Sequence, residues 1–290
     1  MLDEHLSIPA AVEQPVTSPE EQVADVSSVV EVAHAEGRAP ALLLCDHAGR
    51  QIPARLGTLG LAEDELDRHI AYDVGAAEVT RALARLLDAP AVLCHISRLV
   101  IDPNRLPGDP SSIPSISDGT SIPGNHGVDA EERKRRLRLS FMPYHRAVAR
   151  EVAKLRRRVG VPVIVSIHSF TAILNRMWRP WQVAVLWDKD PRLAQLVLAA
   201  LRRDPALAVG DNEPYSGRYP VPYSIPFHAE RGRLPHVTLE LRQDLIETRQ
   251  GAGAWAARLA DALRGPLADP LTHRRLEPTG PAPCRSAHLR

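Results

Sequence analysis

Five short runs of Val, Leu and Ile, set apart by segments of helical length, constrain this chain more than any other feature of its sequence. They are Ala41–Cys45, Ala91–Ile96, Val163–Ile167, Gln182–Trp187 and Val237–Leu241. Runs this short and this apolar read as buried strands, which are the strands of parallel or mixed sheets covered on both faces. Helical periodicity fills the intervals, at Val74–Leu87, Ala130–Val159, Arg192–Arg203 and Ala252–Leu263. Asp129 followed by Glu132 is an N-terminal cap with a reaching carboxylate. Pro143 lacks the N–H that a helix interior needs, so the long helix is expected to kink or split there. Strands alternating with helices predict an α/β fold: three layers, α/β/α, around a central mixed, mostly parallel sheet.

The 290 residues can build one large domain or two small ones, and no internal repeat is visible. Residues 1–38 carry Glu, Pro, Ser and Val with little periodicity and are expected to form a poorly ordered arm, with one local element around Val23–Val32. Residues 266–290, ending in a Pro-rich stretch, are expected to be a disordered tail, which leaves 39–265 as the folded catalytic body. Two long segments, 102–128 and 210–233, are dense in Pro, Gly and Ser or in Tyr and Phe. Loops of that length inside a compact domain are usually functional.

A formal net charge of +1 leaves no electrostatic footprint for nucleic acid. The basic cluster Arg133–Arg138 and Arg156–Arg158 is interleaved with Glu131, Glu132 and Glu151 and reads as a solvated helix face. No apolar run approaches the roughly 18 residues that span a bilayer, and the polar, acidic N-terminus resembles no signal peptide. Cys45, Cys94 and Cys284 match no metal or redox spacing. These features predict a reduced, cytoplasmic protein without a nucleic-acid or membrane partner; its oligomeric state is unreadable.

Function enters where charged and imidazole groups fall relative to the strands, because α/β sheets bind ligands at the carboxyl ends of their strands. The first run ends in Asp46–His47, the third in His168–Ser169, and the last carries Glu240 and Arg242. Residues two apart on a strand share a face, so Glu240 and Arg242 are expected to point the same way. They form a site pair or a plain structural ion pair. Two strand-end histidines with a carboxylate from Asp46, Asp73 or Asp102 could hold a metal and leave one position open for water. Asp102 could equally brace its loop by accepting backbone N–H groups. No HExxH and no GxSxG occurs. His95 reads as a satisfied core group, His145 as either a packed helix residue or a site histidine, and His126 and His228 as loop residues. Trp178, Trp181 and Trp187 are expected to pack the core. The aromatic residues between 215 and 227 are a lid or loop packing.

Seven stretches, in order, resemble the successive motifs of the N-formylglutamate amidohydrolase family: AspHisAlaGlyArgGlnIlePro (46–53), ArgHisIleAlaTyrAspValGlyAla (68–76), SerArgLeuValIleAspProAsnArg (97–105), SerAspGlyThrSerIleProGlyAsn (117–125), SerIleHisSerPhe (166–170), GlyAspAsnGluProTyrSerGly (210–217) and LeuGluLeuArgGlnAspLeu (239–245). The resemblance covers roughly residues 40–264. It implies a core similar to the zinc carboxypeptidases, with their HxxE, Asn-Arg, His-Ser-aromatic and late-strand Glu pattern. Here the matching residues are His47, Asn104–Arg105, His168–Ser169–Phe170 and Glu240. The chain departs from that pattern at Arg50, three after His47, which cannot bind a metal. Asp73 is the expected replacement ligand, with Asp46 and His69 as alternatives.

The resemblance implies a Zn2+ site, or another divalent ion, on His47, Asp73 and His168. It implies Glu240 as general base and acid, Arg105 as a catalytic cation, and Asn104, Arg98, Arg242 and Tyr215 as substrate-binding residues. The substrate would be a small N-acyl amino acid such as N-formylglutamate. A peptidase or cell-wall amidase using the same site, or a binding protein that has lost its metal, are the alternatives.

Overall fold

The computed structural model describes residues 29–277. A seven-stranded sheet runs through it in the order β1-β3-β2-β6-β11-β9-β10. Its members are β1 (Val30–Ala33), β2 (Ala41–Cys45), β3 (Ala91–Cys94), β6 (Val163–Phe170), β9 (Val183–Leu186), β10 (Val209–Asp211) and β11 (His236–Arg242). Outside it, β4 (Ile116–Ser117) and β5 (Thr120–Ser121) form a small hairpin, and a short helix α5 (Ser224–His228) follows β10. The four strands β3, β2, β6 and β11 are parallel, while β1 and β9 each pair antiparallel to a neighbour. The fold is thus the mixed, mostly parallel α/β sheet expected, and all five apolar runs became strands.

Burial follows from the pleat. Along β2, Leu42 and Leu44 enter one apolar layer and Leu43 and Cys45 the other, all fully buried. The first layer is closed by α3 (Met142–Val159) through Tyr144, Val148 and Leu155. The second is closed by α1 (Ala76–Leu87), α4 (Arg192–Leu201) and α6 (Arg249–Ala268) through Leu83, Val197 and Leu259. Each buried Leu contributes about 2 kcal/mol, which is why a five-residue apolar run is held as a strand at all.

Asp129 caps α2 (Ala130–Arg136), its side chain accepting from Glu132 N at 2.7 Å. The kink expected from Pro143 takes the form of a π-turn over Leu137–Phe141, immediately ahead of it. A wider turn accommodates a residue that cannot donate to the helix.

Several expectations change. The chain does not stop being structured at 265: α6 runs on to Ala268, and His273 Nδ1 donates to Val161 O at 3.1 Å while Leu276 N donates to Arg233 O at 3.0 Å. Residues 1–28 and 278–290, and with them the outer parts of the expected arm and tail, lie outside the described residues. Part of the arm is a sheet edge, since β1 pairs with β3. Trp178 is 58% exposed rather than core, because it sits on a short hairpin, β7 (Ile173–Leu174) with β8 (Met177–Trp178), that projects from the sheet. Arg136, counted in a solvated face, is only 1% exposed. Its guanidinium donates to the carbonyls of Val100 and Gly124 and to Asn125 Oδ1, and so fastens the 102–128 segment to the helix. Among the described residues no helix is long and apolar enough to cross a membrane.

Gly75 joins the site to the fold. Its φ is +77°, and a Cβ there would lie 2.3 Å from Ile246 O. Gly75→Ala combines left-handed strain with a backbone clash. It is expected to lower the melting temperature by roughly 5 °C or more, measured by calorimetry. An unchanged melting temperature would contradict this reading of the turn.

Candidate active site and metal centre

The carboxyl ends of β2, β6 and β11 meet at one cavity, and the parallel register determines what stands beside what. Glu240 pairs with His168 across β11 and β6. His47 follows β2, next to β6. Asp73 lies just ahead of α1, and its backbone N–H donates to His47 O at 3.0 Å. The cavity wall includes His47, Asp73, Arg98, Asn104, Arg105, His168, Tyr215 and Glu240, so eight of the nine residues singled out from sequence converge.

The ninth, Arg242, is not in the wall. It is pinned to Asp244 through two nitrogens (Nε–Oδ1 2.8 Å, Nη2–Oδ2 3.2 Å) and stacks 4.7 Å from the Trp178 ring. The strand rule put it on the same face as Glu240, but an acid two residues further on captures the guanidinium. Among the described residues Arg242 makes no ion pair with Glu240.

Two imidazoles converge on one carboxylate. His168 Nδ1 and His47 Nδ1 lie 2.9 and 3.3 Å from Asp73 Oδ2. The ligand atoms of these three buried residues all fall within 4.8 Å of one another, so they could hold a metal ion. Each Nε2 faces a second carboxylate: Asp102 Oδ1 at 2.8 Å from His47 and Asp46 Oδ2 at 3.1 Å from His168. Carboxylates on the far nitrogen fix ring orientation and leave Nδ1 free for a cation. Arg98 sits between Asp73 and Asp102, at 3.4 and 2.8 Å. Asp102 also accepts from Asn104 N at 2.8 Å, so it braces its loop as well.

Charge within the cluster is balanced. Burial alone would hold Asp73, Asp46 and Asp102 protonated, but the facing imidazoles, with Arg98 at Asp102, outweigh it and hold all three pKa values low. Burial alone would likewise keep His47 and His168 neutral, yet the carboxylates raise both. Three carboxylates then face two imidazolium groups and Arg98. A divalent cation on neutral His47 and His168 with Asp73 would keep the same balance, and the donor set, two imidazoles and a carboxylate, is one that zinc and similar ions accept. The residues fit the ion.

Glu240 differs from the other acids. It is 9% exposed and has no hydrogen bond to the described residues. Burial, opposed by His168, raises its pKa to about 7. Carboxylates so poised occur where proton transfer is needed.

The alternative ligands, Asp46 and His69, are not members of the three-residue group and have other partners. Asp46 Oδ1 is taken by Tyr144 Oη at 2.7 Å and Ser224 Oγ at 2.6 Å. His69 lines the cavity but has Asp118 at 3.4 Å. Arg50 pairs with Asp67 at 2.6 Å on the surface, clear of the cluster. Asn104 uses its Oδ1 to receive the N–H groups of Tyr223 and Ser224, tying the two long loops together. His145 and His228 are a buried stacked pair (Nδ1–Nε2 2.9 Å), so His228 is not a free loop residue. Burial lowers their pKa values to about 4 and about 3, so both are neutral near pH 7. His145 Nε2 donates to Pro103 O. Tyr223 and Phe227 stack at 5.1 Å as loop packing, whereas Tyr215 borders the cavity. Tyr144 and Ser224, which anchor Asp46, carried no roles in the sequence reading.

A family model described as N-formylglutamate amidohydrolase matches residues 39–247. Over 260 residues the chain is 28% identical to an N-formylglutamate deformylase of Pseudomonas aeruginosa, covering 79% of this chain and 90% of that protein. Among solved structures, a gene product of Agrobacterium tumefaciens has a TM-score of 0.78 at 36% identity, covering 82% of this chain and 94% of that one. An N-formylglutamate amidohydrolase from Ralstonia eutropha JMP134 has a TM-score of 0.59 at 20% identity, covering 82% and 96%, a likeness of fold.

Proposed function

The chain belongs to the N-formylglutamate amidohydrolase family and is a hydrolase of amide bonds, and we propose that it cleaves N-formylglutamate, or a close N-acyl amino acid, with a divalent metal on His47, Asp73 and His168. The observation that carries this reading is the meeting of that donor set with Glu240 in one cavity. Zinc or a similar ion, when bound, would polarise the amide carbonyl and acidify a water.

The chain's own residues do the rest. Glu240, beside His168, takes the water proton and delivers it to the leaving amine, as a carboxyl with a pKa near 7 is suited to do. Arg105 lines the cavity and has no acidic partner among the described residues; its side-chain hydrogen bonds go to Asn104 O at 2.8 Å and Val221 O at 3.5 Å. It is placed to bind a substrate carboxylate or the carbonyl oxygen as charge develops there. Arg98 orients Asp73 and Asp102 from the cavity wall. Asn104 positions Arg105 and the second loop, and Tyr215 shapes the acyl-amino-acid pocket. The products are formate and free glutamate.

A panel of N-formyl amino acids, N-acetyl amino acids and short peptides, assayed on metal-reconstituted protein, tests the reading. Preference for a formyl group with a free α-carboxylate is expected; preference for peptides would point to an amidase, and no turnover of any substrate to a binding protein. Asp102→Asn removes the acceptor behind His47 and is expected to weaken metal affinity about 10- to 100-fold. Competition with a chelating dye measures it, and an unchanged affinity would detach Asp102 from the metal.

A further inference from the structure

The second long segment is tied to the carboxylate behind each ligand histidine. Asp46 Oδ2 stands 3.1 Å from His168 Nε2, and Asp102 Oδ1 stands 2.8 Å from His47 Nε2. The start of α5 reaches both. Ser224 Oγ donates to Asp46 Oδ1 at 2.6 Å, and the N–H groups of Tyr223 and Ser224 donate to Asn104 Oδ1 at 2.9 and 3.0 Å. Asn104 N in turn donates to Asp102 Oδ1 at 2.8 Å. A second hydroxyl, Tyr144 Oη on α3, shares Asp46 Oδ1 at 2.7 Å. Asp46, Tyr144 and Ser224 are fully buried. The two hydroxyl bonds have the short lengths of O–H groups donating to an ionised carboxylate, and they hold Asp46 by one oxygen. The other, Oδ2, is sealed from solvent and takes no hydrogen bond among the described residues. It is left facing His168, whose Nδ1 lies 2.9 Å from Asp73. Pro222 and Ile225, on either side of this anchor, line the cavity. The segment that walls the cavity is therefore fastened to the acid that orients a ligand.

We propose that Ser224 and Tyr144 are positioning residues for the metal centre, and that Ser224 makes the docking of α5 and metal binding at His168 one coupled event. This rests on the metal reading above and deepens it. A carboxylate on the far nitrogen of a ligand imidazole holds the ring as the ion needs it. Here that carboxylate is itself held by two hydroxyls, one from α3 and one from the second loop. With the Ser224 bond broken, Asp46 keeps Tyr144 alone and is free to rotate away from His168. Coupling of this kind is reciprocal: whatever docked α5 adds to metal affinity, the metal adds to docking. The cavity wall at Pro222 and Ile225 is thus firmest when the ion is in place.

The test compares wild type, Ser224→Ala and Tyr144→Phe, with Zn2+ alone as the probe. Competition with a chelating dye is expected to show about 10-fold weaker Zn2+ binding in each variant. Amide hydrogen exchange follows residues 223–228 with and without Zn2+. In wild type the ion is expected to slow exchange there by about the same factor. The slowing persists in Tyr144→Phe and is lost in Ser224→Ala. Tyr144→Phe removes one oxygen and keeps the ring, so it tests the positioning of Asp46 even where Ser224→Ala folds poorly. Residues that merely packed would lower the melting temperature on substitution and leave Zn2+ affinity unchanged, and that result overturns the proposal. So does zinc-dependent slowing that survives in Ser224→Ala. Wild-type protein that binds no Zn2+ defeats the metal reading itself, whereas tight binding that is equal in wild type and both variants defeats only the positioning role.

Discussion

His168→Ala is expected to strip the protein of its metal and of its activity together. The imidazole is buried among Asp46, Asp73 and Ser166, and its Nδ1 is one of three donors within 4.8 Å of one another. Losing a partner behind a ligand costs about 10- to 100-fold in metal affinity or activity; losing the ligand itself is expected to cost more than about 1,000-fold in N-formylglutamate hydrolysis. Elemental analysis is expected to find about one divalent ion per chain in wild type and none in the variant. The substitution also leaves two buried carboxylates facing a void, a loss of about 3–5 kcal/mol for a broken buried pair, so circular dichroism and a denaturation curve accompany the metal measurement. His168→Gln keeps polar atoms in that space. A folded His168→Gln with full metal content and undiminished turnover would remove the metal centre from this position.

Glu240→Gln separates chemistry from metal binding and from folding. The carboxyl group is nearly buried, has no hydrogen bond among the described residues and lies next to His168 in the sheet. As general base and acid it is expected to supply about 10²- to 10⁴-fold of rate, so the variant loses that much kcat while its metal content stays at wild-type level. Its stability is expected to move the opposite way. Burial raises the Glu240 pKa from its ordinary 4.5 to about 7. An acid whose pKa is higher folded than unfolded binds its proton more tightly in the folded state. The fold therefore loses stability as pH rises from 4.5 towards 7, where the buried group must ionise. Glutamine carries no such cost, and metal-free Glu240→Gln is expected to melt roughly 5 °C higher than metal-free wild type at pH 7, with the difference vanishing near pH 4. Full activity in the variant would exclude Glu240 from proton transfer, and a lower melting temperature at pH 7 would mean that its carboxylate is compensated by a partner.

The Asp46 contacts show where sequence reasoning stopped. His47 and His168 were legible because each follows an apolar run that could only be a buried strand, and the strand end is where a ligand site forms. Asp73 was one of three candidate carboxylates, with Asp46 and Asp102, on the residues alone, and only a family motif set it ahead of the other two. The contacts of Asp46 with Tyr144 and Ser224 span 98 and 178 residues of sequence, and no periodicity encodes such a pairing. Arg136 was misread for a related reason: composition marks a basic helix turn as solvated, but the face that turn presents depends on how the 102–128 segment lies against it.

By itself the sequence determined five of the seven strands of the central sheet, the long helices, the mixed sheet and the end of it at which the candidate site sits. These follow from local hydrophobic periodicity, caps and turn residues, whose energetics act over a few neighbours. Only the tertiary structure decided which charges are spent and which are free. Arg242 and Arg179 are both arginines beside the same sheet, yet one is neutralised by Asp244 and the other by nothing among the described residues. A charge in a low-dielectric interior is set by what lies within a few ångströms of it in space, and only the packed sheet, with its loops crossed over the strand ends, sets those distances.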